Sequence, residues 1–318
     1  MADLTRHEQF LNHIAHPDEP IPNPQIRKEY FLRRIAEKDA PCPQPQTREE
    51  YILKEIADMD HGGGGGDGVE DAIIERSISG KYVNSNVSTV GFCAFGKCEY
   101  LTEVNMPNVV EVSANAFSGC TNLSSISLPN AKSISYGAFM SCAIENADFP
   151  LVETFAGAAF SNCLQLKTVS LPKITTLPSG MFSNCQQLED AYLPLIASIG
   201  NSAFINCSRL SQANFPEVSE IGSSAFSGCS SLTTASFPKC TYIGSSAFYK
   251  CFRLLSFYLL GSSVVSLQNG AAFYSTPIST FTQYTQGVRG SIYVPASLYD
   301  AYISAPWWSA YSSRFVSV

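Results

Sequence analysis

The chain has 318 residues, of which 45 % are hydrophobic and only 15 % are charged, and its formal net charge is -7. Charge concentrates at the start, because residues 1–67 hold 8 of the 20 Lys and Arg and 13 of the 27 Asp and Glu. The nearly neutral remainder lacks both the basic surface that nucleic acid requires and a polybasic patch for an anionic membrane.

The first 60 residues contain a repeated segment, at 5–15, 26–36 and 47–57, with a period of 21 residues. In each copy the apolar residues recur at the spacing of an amphipathic helix, and Thr5 and Thr47 begin capping-box patterns. The proline-rich spacers are expected to be extended. The apolar positions are Phe10, Leu11, Ile14, Phe31, Leu32, Ile35, Tyr51, Ile52, Leu53 and Ile56.

Two interpretations of this arm stay open. Helices of about three turns are marginal in isolation, so the arm is either a loose tail or three docking helices that contact a partner or sister copies of the chain. We expect docking helices. Residues 61–68, which include the run Gly62 to Gly66, are predicted to be a flexible hinge between the arm and the body.

The body repeats with a stricter period. Phenylalanines recur in steps of 22, 22, 21, 22, 22, 22 and 22 residues, and each is followed three residues later by a cysteine. Further apolar columns recur in the pattern Leu-x-x-Val-x-Leu-Pro, which predicts one short strand per coil. We predict a β-rich solenoid of about 8–9 stacked coils over 69–276. The phenylalanines are Phe95, Phe117, Phe139, Phe160, Phe182, Phe204, Phe226 and Phe248.

The full coil pattern, Leu-x-x-Ile-x-Leu-Pro-x-x-x-x-Ile-Gly-x-x-Ala-Phe-x-x-Cys, resembles the BspA-like (treponemal-type) leucine-rich repeat over roughly residues 70–276. This resemblance implies a binding role without catalytic residues in the repeats, since similar proteins are surface and virion proteins engaged in attachment. The arm is similar to N-terminal segments of tail-fibre and other virion-attached proteins of phages that infect gut Firmicutes, although its second copy begins with Ile26 where the others have Thr.

Both ends of the solenoid depart from the repeat. Residues 72–79 and 89–95 look like a partial first coil, and 277–318 are predicted to be an α+β cap with a strand at 291–294 and a short helix at 296–303. Such adapted ends are expected because an open solenoid end exposes its core. Trp307 and Trp308 are interpreted as cap packing, with a ligand platform as the alternative.

Nothing in the sequence indicates catalysis, a cofactor or a metal. All four histidines lie in residues 7–61, so the body has none for a Ser-His or Cys-His pair. Eight of the eleven cysteines form one column of the coil, from Cys98 to Cys251. Adjacent coils are close enough for disulfides, but we expect buried free thiols; closely spaced zinc ligands are absent.

The predicted binding face consists of the strand positions that point away from the core. We expect it to contact a carbohydrate or a protein loop; a merely soluble sheet face is the alternative. The main candidates are Glu103, Asn105, Asn146, Asp148, Asp190, Tyr192, Gln212, Asn214 and Tyr258. The same columns include Ser125, Ser127, Thr168, Ser170, Thr234, Ser236 and Ser256.

These features predict a non-enzymatic phage structural protein of tail-fibre or head-fibre type. Its arm would anchor it to other virion proteins, its solenoid would bind a host-surface protein or glycan, and several copies would give avidity. The start of the sequence shows no secretory signal and no membrane-length apolar run, so synthesis in the host cytoplasm and a place in the virion are expected. A bacterial cell-surface adhesin and a cytoplasmic scaffold are the alternatives.

Overall fold

The computed structural model describes residues 80–99, 101–279 and 288–318. The arm, the hinge and residues 72–79 lie outside this part, so the predictions made for them stay predictions. In the body, every coil contributes one three-residue strand and one two-residue strand. Within each sheet, a strand pairs in parallel with the same strand of the next coil, for example Glu103 with Ser125 and Val112 with Ile134.

The nine coils use eighteen strands, which confirms the predicted solenoid. The three-residue strands are β1 (Lys81–Val83), β3 (Glu103–Asn105), β5 (Ser125–Ser127), β7 (Asn146–Asp148), β9 (Thr168–Ser170), β11 (Asp190–Tyr192), β13 (Gln212–Asn214), β15 (Thr234–Ser236) and β17 (Ser256–Tyr258). The two-residue strands are β2 (Thr89–Val90), β4 (Glu111–Val112), β6 (Ser133–Ile134), β8 (Thr154–Phe155), β10 (Thr176–Leu177), β12 (Ser198–Ile199), β14 (Glu220–Ile221), β16 (Tyr242–Ile243) and β18 (Ser266–Leu267).

The core is a stack of identical columns. Phenylalanine rings of successive coils stack from Phe95 to Phe273 with centroids 5.0–5.8 Å apart. The leucine column and the middle residues of the three-residue strands pack beside them, almost all fully buried. Since each coil covers only its neighbours, the core is continuous along the solenoid.

The sheets are interrupted at three places: between β5 and β7, between β11 and β13, and between β8 and β10. One residue is missing between Cys142 and Ile144, which makes that coil 21 residues long, and β5 and β7 belong to different sheets. At Pro178 the backbone has no N–H, whereas Gly200, Gly222 and Gly244 each donate from the same position to the preceding coil. The two-residue strands accordingly divide between β8 and β10.

The C-terminal cap begins with β19 (Ser291–Val294), which pairs in parallel with β17, and it ends with β20 (Phe315–Ser317), which pairs with β19. Between them lie a 3-10 helix (Ala296–Leu298), helix α1 (Tyr299–Ser304) and a second 3-10 helix (Trp308–Arg314). The predicted strand is confirmed, and the predicted helix forms as two short helices. Trp308, Tyr302 and Tyr311 cover the last coil, all buried.

The two tryptophans differ, so the cap interpretation holds for one of them. Trp308 is fully buried, and its indole N–H donates to the carbonyl of Val265 at 2.6 Å. Trp307 has a left-handed φ of 65° and is 54 % exposed. At the other end, β1 is the three-residue strand of the first coil, and it pairs with β3 so that Lys81 lies beside Glu103. The sequence pattern had not indicated this strand.

Candidate binding face

The outward residues of the three-residue strands form a single surface, which we call the strand face. It consists of the first and third residues of each of the nine three-residue strands and of β19. Middle residues such as Val169 and Ala213 are buried, while flanking residues such as Gln212 and Asn214 are exposed. This alternation follows from the two-residue period of a strand, and it places all nine main candidates on one face.

Side chains of the strand face engage one another at only a few of the described positions. Near the N-terminal end, Lys81 forms an ion pair with Glu103 at 2.7 Å, and Thr168 donates to the side-chain oxygen of Asn146 at 2.7 Å. Among the described residues, no side-chain hydrogen bond or ion pair engages Asp190, Tyr192, Gln212, Asn214 or Tyr258. The segment from β11 to β17 therefore has polar groups available to a ligand.

Charges beside this segment are neutralised locally. Arg209 pairs with Glu189 at 3.0 Å, and Lys239 pairs with Glu217 at 2.6 Å. Lys167 pairs with Glu145 at 2.7 Å in the same way, one coil apart. These exposed pairs contribute little to stability, but they leave the neighbouring surface close to neutral.

The cysteine column is structural. Its thiols are free and, apart from the half-buried Cys98, buried. From Cys120 onward each thiol donates to the carbonyl of the phenylalanine in the preceding coil, with the sulfur 2.9–3.1 Å from the oxygen. Burial raises the pKa of the Cys163 thiol to about 12 and raises the pKa values of Cys185, Cys207 and Cys251 well above the ordinary range. Such thiols are neither nucleophiles nor metal ligands.

Two further columns have a backbone role that the sequence patterns did not reveal. The residue before each cysteine and the residue two before each phenylalanine adopt left-handed φ values. In the first column, Asn184 donates to the side-chain oxygen of Asn162, and Asn206 donates to that of Asn184, at 2.9 and 2.8 Å. The recurrence of Asn and Gly before cysteine could have indicated a left-handed backbone at this position, because these two residues tolerate that conformation.

The described residues contain no group of three or more His, Cys, Asp or Glu side chains placed to hold a metal ion. Within the same ranges, no helix has both the length and the hydropathy needed to cross a membrane. The predicted docking residues, from Phe10 to Ile56, lie outside the described ranges.

Comparison with protein families supports the repeat assignment directly. The model described as "BspA type Leucine rich repeat region" matches residues 88–197 and 195–288, with six copies. These matches cover more than half of the chain. Among proteins with curated functions, no relative matches this sequence.

Similar solved structures are also leucine-rich repeat proteins. A leucine rich cell surface protein from Faecalibacterium prausnitzii A2-165 is 29 % identical, with a TM-score of 0.46, and the match covers 58 % of this chain and 62 % of that one. The leucine-rich repeat protein of T. pallidum is 28 % identical, with a TM-score of 0.45, and 48 % of this chain and 77 % of that one are covered. The pneumococcal vaccine antigen PcpA is 14 % identical, with a TM-score of 0.33, and 73 % and 83 % are covered.

Proposed function

Because this chain belongs to the family of BspA-type leucine-rich repeat proteins, we propose that it is a non-enzymatic surface adhesin that binds its target through the strand face. The observation that carries the proposal is the division of each three-residue strand into two outward residues and a middle residue that is buried in seven of the nine and half-buried in β5 and β11. The outward side chains vary from coil to coil, while the buried columns repeat. Such repeats form an inert scaffold on which a binding surface can vary.

The position of the available polar groups supports the segment from β11 to β17 as the contact surface. Asp190, Tyr192, Gln212 and Asn214 are exposed and make no side-chain hydrogen bond within the described residues. Groups left free in this way can bond to a partner without first breaking an internal bond.

Cell binding by the fluorescent full-length chain tests the proposal. We expect it to label cells in a panel of bacterial and epithelial types by flow cytometry, and the double variant Asp190→Ala, Tyr192→Ala to lose most of this labelling. Tyr136→Ala is the matched control, because Tyr136 is 55 % exposed, close to the 57 % of Tyr192, and lies off the strand face. Labelling that the double variant retains in full would contradict the proposal.

A virion protein is the second candidate, and the observation that favours it is the three-copy arm. Its repeated apolar positions suit docking to a repeated partner, and several copies of the chain would give avidity. Deletion of residues 1–60 would then abolish co-sedimentation with phage particles while leaving cell labelling by the solenoid unchanged. Co-sedimentation that survives the deletion would exclude a docking role for the arm.

A further inference from the structure

Tyr258 is partly exposed on the strand face. On one side this ring stacks on Tyr293 of β19, with centroids 4.5 Å apart and planes 13° apart. On the other side the strand register places Ser236 of β15 beside it. A serine side chain is too short to cover a whole phenol ring, in agreement with the partial exposure of Tyr258.

A second tyrosine stands across from it on the strand face. Tyr192 occupies the same outward column three coils earlier, on β11, which belongs to a different sheet from β13, β15 and β17. The outward residues between them are amides and short hydroxyl side chains. We call this surface the tyrosine notch, and it consists of Tyr192, Gln212, Asn214, Thr234, Ser236 and Tyr258.

The notch combines an aromatic wall with an uncharged polar floor. Its six residues have side chains of uncharged types, the neighbouring Glu189 and Glu217 are paired with Arg209 and Lys239, and the exposed Asp190 of β11 adds one carboxylate at the edge of the notch. An anionic polymer would therefore find no unpaired cation among these residues. A protein partner would require apolar anchors at the centre of the contact, whereas the centre here is Asn214 and Ser236.

We propose that the tyrosine notch binds a neutral oligosaccharide. A pyranose ring stacks its C–H face on the exposed part of Tyr258, and sugar hydroxyls bond to the amides of Gln212 and Asn214, which can both donate and accept. The paired strands β13, β15 and β17 span two spacings of about 4.8 Å each, which gives a continuous polar floor beside Tyr258 for an extended ligand. This inference rests on the proposed function and specifies its ligand class.

The test screens the full-length chain against an array of neutral hexasaccharides built from glucose, galactose, mannose or N-acetylglucosamine, and then titrates those that bind by calorimetry. We expect at least one to bind. Tyr258→Ser should weaken its affinity about tenfold, since the aromatic contact is lost, and Tyr258→Phe should retain affinity within about threefold. Tyr136→Ala should leave it unchanged.

Because Tyr258 also stacks on Tyr293, the Tyr258→Ser chain must first show a native thermal unfolding midpoint. Tyr192 is exposed and takes no part in that stack, so Tyr192→Ala provides a second variant, which should also weaken binding. The proposal is overturned if no neutral hexasaccharide binds, or if neither substitution changes the affinity.

Treatment of the target cells separates this proposal from the more general one. Periodate cleaves the vicinal diols of sugars, so it should abolish labelling of a glycan with such diols, while protease treatment should leave most of it; a 4-linked N-acetylglucosamine chain has no vicinal diol in its internal units, and chitinase replaces periodate for it. Labelling that survives periodate and disappears after protease would indicate a protein partner; this would overturn the glycan proposal and leave the adhesin proposal standing. Absence of labelling on all untreated cells would count against the adhesin proposal itself.

Discussion

At the scale of single residues, cysteine in this fold acts as a hydrogen-bond donor between coils. A carbonyl such as that of Phe160 accepts both the backbone N–H of Cys163, at 3.2 Å, and the thiol of Cys185, at 3.1 Å. The thiol also fills a small buried space as a hydrophobic group would. In the last coil Thr276 replaces cysteine, and its hydroxyl bonds to Phe273 of its own coil at 2.7 Å.

Because burial raises the pKa of these thiols, we expect the protein to lose stability at alkaline pH. Burial raises the pKa of Cys163 to about 12, so below pH 9 the thiol is neutral in both states and the native contribution is fully present. Above the unfolded pKa only the unfolded chain ionises, and each such thiol lowers the free energy of unfolding by up to about 1.4 kcal/mol per pH unit until the folded pKa is reached.

Urea unfolding under reducing conditions from pH 8 to pH 11 measures this effect. Stability should be flat up to about pH 9 and then fall, and Cys163→Ala should reduce the slope of the fall by the contribution of one thiol. A slope identical in the variant and the parent would show that this thiol does not behave as a buried neutral group.

At the scale of elements, the turn before each cysteine depends on a backbone conformation more than on a residue type. Asn162, Asn184 and Asn206 have φ values of 60°, 61° and 59°, and their amides form a bonded row. The next position in the column is Gly228, where an added Cβ would collide with the side-chain oxygen of Asn206. The row therefore ends where the larger side chain no longer fits.

Substitutions at Asn184 separate the backbone effect from the amide bonds. Asn184→Ala should lower the free energy of unfolding by about 2–3 kcal/mol, because it loses two amide hydrogen bonds and replaces asparagine, which tolerates the left-handed region, with alanine, which is strained there. Asn184→Gly loses the same bonds without that strain, and it should cost only about 1 kcal/mol. Urea titration of both variants would test the ordering, which the reverse result would refute.

At the scale of the whole molecule, stability should be carried from coil to coil, because each coil packs mainly against its neighbours. Phe204 lies near the centre, fully buried, with its ring 5.5 Å from Phe182 and 5.1 Å from Phe226. Both tryptophans of the chain are in the C-terminal cap, so tryptophan fluorescence reports on that end alone.

Phe204→Ala should therefore uncouple the two ends of the solenoid. The substitution costs about 3–5 kcal/mol in a central coil, and the cap with its adjacent coils should then unfold separately from the N-terminal coils. Circular dichroism and tryptophan fluorescence, which should coincide for the parent, would give different urea midpoints. Phe117→Ala, near the N-terminal end, should leave the fluorescence midpoint unchanged. Coincident curves for Phe204→Ala would indicate one cooperative unit.

The repeat in the sequence predicted the solenoid because its apolar columns are the core itself: Phe182, Cys185 and Leu188 recur with their neighbours and are all buried. The hydrogen bonds between coils could not be predicted from the sequence. The bond from Cys185 to Phe160 joins residues 25 apart, and the left-handed columns mix Lys, Gly, Ser and Asn because they share a dihedral angle rather than a side-chain chemistry. On the strand face, the outward positions followed from strand period, but the stacking of Tyr258 on Tyr293 required the cap to be placed.

The bonds from thiol to carbonyl all run in one direction, from each coil to the one before it. Every interior coil thus presents the same donors at one side and the same acceptors at the other. A duplicated 22-residue unit inserted between two coils would find complementary partners on both sides, so tandem duplication or loss can change the reach of the molecule in increments of about 4.8 Å without any redesign of its ends.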